Sequence, residues 1–154
     1  MTDVTVGVSH RDAEAEPVIM AARAYWRSIN GGRVPVKKTF DLMNVYRQAP
    51  HLLMAERIGP AEFKFVYCGT LVAENFPLDL TGKSCGPDTP RVSKVPWPQF
   101  FSTTLDGPCL RFGEMPIDWP GPKFAYARYG TFPLADDAGV PRFALACLVF
   151  GGKR

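Results

Sequence analysis

The sequence predicts an α+β domain: a five-stranded antiparallel sheet with short helices on one face, preceded by an amphipathic helix. Three observations carry that expectation. Apolar residues recur at helical spacing over residues 17–30. Two stretches with strand character, residues 51–58 and 63–68, flank a Gly59-Pro60 turn. Three more, residues 109–115, 124–133 and 142–150, follow an irregular helical middle. Runs of strands with helices segregated between them imply antiparallel pairing in an α+β fold.

The helix over residues 17–30 starts at Glu16-Pro17, where proline tolerates the missing donor and an acidic group suits the positive helix end. Val18, Ile19, Ala22, Tyr25, Trp26 and Ile29 form its apolar face, and Asn30-Gly31-Gly32 stops it with residues that accept left-handed backbone. Burial on its own domain is the simplest use of such a face. Ile19, Ala22, Tyr25 and Trp26 are also the candidate interface of a homodimer, because large aromatic anchors dominate interfaces. Asp41 can cap a short helix over residues 42–47, which ends before Pro50.

Residues 63–68 (FKFVYC) alternate with the strand period, Phe63, Phe65 and Tyr67 on one side and Lys64, Val66 and Cys68 on the other. Gly69 permits a bend and Thr70 a cap for a short helix over residues 71–76. Asp79-Leu80-Thr81-Gly82 has turn composition, as has Asp136-Asp137-Ala138-Gly139 between the last two strands. Prolines at 87, 90, 96 and 98 argue against regular structure until residues 97–105 form a helix. Residues 1–16 lack a sustained period and are expected to be a flexible leader, with residues 17–152 as one domain.

The 154 residues are 46% hydrophobic and 21% charged. Folding at that length removes roughly 70% of the unfolded surface from water, enough for a core without staples. Eighteen basic against 15 acidic residues give +3, without the clustered basic footprint that nucleic acid requires. No basic-then-apolar leader opens the chain, and the apolar stretch 143–150 is too short to span a bilayer. Four widely separated cysteines form no CxxC pair, consistent with a reduced, cytoplasmic setting.

The order of two strands, short helices and three strands resembles a PAS domain, and more specifically a family of stand-alone bacterial PAS-like proteins. The resemblance is carried by Tyr25-Trp26, Gly31-Gly32, Pro35, Asp41, Pro50, Tyr67-Cys68-Gly69-Thr70, Asp79-Leu80-Thr81-Gly82-Lys83 and Pro133-Leu134-Ala135-Asp136-Asp137. It covers about residues 24–150, and it departs at Cys68, where similar proteins often carry a polar or charged residue. The resemblance implies a non-catalytic sensory or regulatory module. Such a module would bind a small apolar ligand between the sheet and the short helices, a signalling protein partner, or both. From strand parity and helix placement the candidate walls are Met54, Phe65, Tyr67, Phe76, Trp97, Phe101, Tyr126 and Leu145; a solid core is the alternative use of the same residues.

No cofactor is specified. Lys83-Ser84-Cys85-Gly86 lacks the Asn-Cys-Arg-Phe-Leu pattern of flavin-binding photoreceptors of this fold, and a lone His51 at a strand start suits a structural role better than haem ligation. No zinc-ligand set and no Ser-His-Asp arrangement is spelled out. A small enzyme on a cone-like α+β fold would need an ionisable group inside an apolar pocket, for which Glu56, Glu74 and Glu114 are the acids to test. A ligand-free dimerisation adaptor is the third alternative.

Overall fold

The computed structural model describes residues 4–76, 80–86, 96–119, 121 and 123–153. Asp79 of the 79–82 turn, and most of the proline-rich stretch after Cys85, lie outside the described residues.

Local chemistry explains most of the elements. Helix α2, Pro17–Asn30, has proline in its first turn and ends on Gly31 at φ 54°, a left-handed residue that glycine adopts without cost. Asp41 accepts from the Met43 N–H at 2.9 Å and caps a 3-10 turn, Leu42–Val45, so the short helix expected there is tighter and ends sooner. Strands β2, Leu52–Gly59, and β3, Glu62–Cys68, make the first hairpin. Helix α3, Thr70–Glu74, and helix α4, Trp97–Leu105, follow, then β5, Cys109–Pro116, β6, Tyr126–Ala135, and β7, Pro141–Gly151. In the β6–β7 turn the Asp136 carboxylate accepts from the Ala138 and Val140 N–H groups, and Gly139 takes φ 84°.

These five long strands run in the order β3-β2-β7-β6-β5, antiparallel throughout, so the first hairpin joins the last three strands through β2 and β7. Two short strands extend the sheet beyond the expected five. Ser84–Cys85 (β4) pairs with β3, and Thr5–Val8 (β1) lies parallel to β5 at the opposite edge. β1 and a one-turn helix, Arg11–Glu14 (α1), thus occupy a stretch expected to be a loose leader. The leader is fastened by charge as well as by pairing. The Arg128 guanidinium stands 3.2 Å from Glu114 and 3.9 Å from both Glu16 and Asp12.

The short helices α3 and α4 share one sheet face, and the N-terminal helix α2 covers the other. α2 buries Ile19, Ala22 and Trp26 against Leu52, Met54, Phe112, Phe132, Leu134, Leu145 and Cys147. α3 and α4 bury the opposite face, on Leu53, Ala55, Phe63, Phe65, Ala144, Ala146 and Leu148. Residues 52–55 of β2 and 144–148 of β7 are therefore apolar on both faces, as sandwiched strand segments must be.

Gly69 marks the strand-to-helix junction for a reason of space. Its φ is −66°, open to any residue, but a Cβ there would collide with the carbonyl oxygens of Ala49 and Pro50. The Gly69 N–H also donates to the Leu52 carbonyl at 2.8 Å, which fixes the approach. Gly69→Ala is expected to cost about 1–3 kcal/mol, the usual penalty of forced overpacking. Urea unfolding checks it: an unchanged midpoint would show that the 49–51 turn gives way freely.

Candidate ligand-binding cleft

α4 enters the α3/α4 side of the sheet with Trp97, Phe100, Phe101, Thr104 and Leu105 buried. Its rings join Phe63 and Phe65 of β3, Phe76 just beyond α3 and Trp119 after β5 into one aromatic pile. Phe76 stacks on Trp119 at 4.8 Å between centroids, Trp97 lies 5.7 Å from both Phe76 and Phe101, and Phe101 meets Phe63 at 5.4 Å and Phe65 at 5.8 Å. Four of the eight predicted wall residues, Phe65, Phe76, Trp97 and Phe101, therefore come together, as mutually packed core.

The other four lie elsewhere. Met54 pairs with Tyr67 and Ala55 with Phe65, so Val66 is an extra residue in β3. That bulge breaks the alternation and turns Tyr67 to the α2 side, away from Phe63 and Phe65. Met54 and Leu145 oppose each other in register on the α2 side as well. Their apolarity could not tell one buried face from the other. Tyr126 stands at the sheet end, under the Arg128 guanidinium at 5.0 Å and against Gly151.

The predicted interface residues are placed just as definitely. Ile19, Ala22 and Trp26 are buried on their own sheet, which leaves that face no free surface for a dimer partner. The Tyr25 hydroxyl donates to the Thr39 carbonyl at 3.3 Å and accepts from the Asp41 N–H at 2.9 Å, and its ring meets Phe40 edge-on at 5.1 Å.

Beside the aromatic pile an open cleft of about 450 Å³ is lined by Pro96, Phe100, Glu114, Met115, Pro116, Asp118 and Tyr129. Phe100 is the partition, touching Trp97 and Phe101 at 5.5 Å and Tyr129 edge-on at 4.9 Å. Gly113 makes the site possible, since a Cβ there would collide with the Tyr129 hydroxyl and push the ring off β5. The lining is chiefly apolar, with Tyr129 its one hydroxyl among the described residues and two carboxylates. Glu114 accepts a hydrogen bond from the Arg128 Nε at 3.2 Å, which also raises the Arg128 pKa. The alternation of β6 places Tyr129 on the inner face, and the Phe100-Phe101 pair offered two rings to α4. Neither signal says which ring borders open space.

No family model matches the chain, and no curated protein matches it. Among solved structures, a fungal LOV-domain photoreceptor is 14% identical, with 90% of this chain and 97% of that one covered at a TM-score of 0.48. A cysteine-to-serine mutant of Vivid is 11% identical over 64% of this chain and 79% of its own, with a TM-score of 0.46. Five long strands in the order β3-β2-β7-β6-β5, with α3 and α4 between the two strand groups, give the chain its topology. The fold is PAS-like.

Burial disfavours ionisation of three of the four thiols. Burial pushes Cys85 up to about 11 and Cys147 up to about 12, and it raises Cys109 as well. With thiolate scarce, Cys85 and Cys147 are expected to resist iodoacetamide at neutral pH in the folded protein and to label fully in urea. Mass spectrometry of the labelled peptides checks this; rapid labelling of Cys147 in the native protein would contradict it. The sign for stability follows from the raised folded pKa. The Cys147 contribution is complete below pH 9 and is lost as pH rises toward 12. Among the described residues, no three His, Cys, Asp or Glu stand together to hold a metal, and no helix is long and apolar enough to cross a membrane. The His51 Nδ1 lies 3.0 Å from the Leu148 carbonyl, which gives the ring a backbone partner.

Proposed function

We propose that the chain is a sensory or regulatory PAS-like module whose ligand is a small apolar molecule held in the cleft between α4, β5 and β6. The observation that carries this reading is the cleft itself. Its volume of about 450 Å³ falls within the range of small-molecule sites, and Phe100, Met115, Pro96, Pro116 and Tyr129 give it an apolar lining with one hydroxyl. The Tyr129 hydroxyl would orient the ligand and the rings would supply the binding energy. Occupancy would brace Phe100, and through it the aromatic pile between α4 and the sheet, which gives the ligand a route to the packing of α4. The Glu56 and Glu114 carboxylates are each engaged by an arginine.

A thermal panel of neutral one- and two-ring aromatics and medium-chain alcohols tests the proposal, with native mass spectrometry of the gently purified protein. A compound at 100 times its Kd stabilises by about 2.7 kcal/mol. At this chain length that raises Tm by roughly 5–10 °C. Pro116→Trp, an exposed wall position, is expected to abolish the shift without lowering the Tm of the free protein. A panel with no shift, or shifts that survive Pro116→Trp unchanged, would refute the cleft as the ligand site.

A further inference from the structure

The connector between α2 and β2, residues 31–51, has a composition unlike the rest of the chain. It holds Arg33, Lys37, Lys38 and Arg47 against the single acid Asp41, a formal +3. From totals of 18 basic and 15 acidic residues, fourteen of each are left elsewhere. The whole net charge of the protein therefore sits in this connector, and all four of its cations are exposed.

The same segment carries the most exposed large apolar side chains described, Met43 at 76% and Tyr46 at 62%. They are three apart on the 3-10 turn Leu42–Val45 and its C-cap, a spacing at which side chains stand on one side. Arg47 follows, its Nε 3.1 Å from the Tyr46 hydroxyl and its guanidinium 5.6 Å from the ring centroid. Methionine, tyrosine and arginine are the residues enriched where proteins meet proteins.

The turn is held in place before any partner arrives. The Tyr25 hydroxyl bonds the Thr39 carbonyl, the Asp41 N–H and the Asn44 Nδ2, and the Asp41 carboxylate is used on the Met43 N–H. Val45 is buried beneath. Preorganisation of this kind removes part of the ordering cost of association.

The geometry points to a docking surface at residues 41–47 for an acidic protein segment that carries an aliphatic or aromatic anchor. The anchor would lie on Met43 and Tyr46, and the acids would meet Arg47 and Lys37, with Lys38 already 3.5 Å from Asp137. Two apolar side chains on one turn are too few for a membrane-inserting face, which runs along a longer helix. Four cations are likewise fewer than the six to ten phosphate contacts typical of duplex binding. This inference stands independently of the cleft.

Fluorescence anisotropy with three labelled peptides of equal length tests it: a Leu-Trp centre flanked by Glu, by Gln or by Lys. The Glu-flanked peptide is expected to bind at least tenfold tighter than the Gln-flanked one, and the Lys-flanked one not at all. Met43→Ser with Tyr46→Ser, both at exposed positions, is expected to cost tenfold in affinity with Tm unchanged. Tyr25→Phe keeps every contacting side chain but unlocks the turn, and is expected to cost a few-fold. Equal binding of Glu- and Gln-flanked peptides would overturn the inference. So would full binding by the double variant, or tighter binding to phosphatidylserine vesicles or duplex DNA than to the Glu-flanked peptide.

Discussion

Trp26→Ala is expected to lower stability by about 3–5 kcal/mol, the cost of removing a large buried ring and leaving a cavity. Trp26 is completely buried between α2 and the sheet, and it meets Phe132 at 6.1 Å. Its Nε1 also donates to the Pro133 carbonyl at 2.9 Å. Trp26→Phe separates the two contributions. It retains much of the apolar area but orphans that carbonyl, for which about 1–3 kcal/mol is the usual penalty. Urea unfolding monitored by circular dichroism reads both. Since Trp26 lies on the α2 side, neither variant should change ligand affinity at the cleft. A Trp26→Ala midpoint close to wild type would mean that α2 does not hold the sheet as described.

Phe101→Ala should be equally costly, about 3–5 kcal/mol, or a Tm loss on the order of 10 °C. Phe101 is fully buried and touches Phe63, Phe65, Trp97 and Phe100, so no single neighbour can collapse into the space it leaves. Here the effect should reach the site. Phe100 loses its inner support, and a cleft ligand should bind several-fold more weakly even where the variant remains folded. Calorimetric titration below the variant's Tm checks this, and unchanged affinity would separate the cleft from the aromatic pile.

Much of the fold is legible in the residues. Pro17 and Gly31 delimit α2, residues 97–105 become α4 without adjustment, and the five long strands fall where alternation places them. What escaped the sequence has physical causes. A parallel edge strand such as β1 needs only four residues and owes its existence to β5, so no local period announces it. The Val66 bulge is a property of pairing, not of β3 alone, and it reversed the face of Tyr67. Two-sided burial hid the faces of Met54 and Leu145, because residues 52–55 and 144–148 are apolar whichever way they point. Phe65, Phe76, Trp97 and Phe101 meet one another and fill the space between them. The open volume lies one ring further out, at Phe100 and Tyr129, where Gly113 leaves room.

A ligand is expected in this open volume and not in the packed interior. Amide chemical-shift mapping with the best compound of the thermal panel tests it most directly. Perturbations are expected to concentrate at Phe100, Met115 and Tyr129, to be largely absent from Trp26, Met54 and Leu145, and to be lost in Pro116→Trp. Perturbations centred on the α2 side of the sheet, or none at saturating compound, would contradict it.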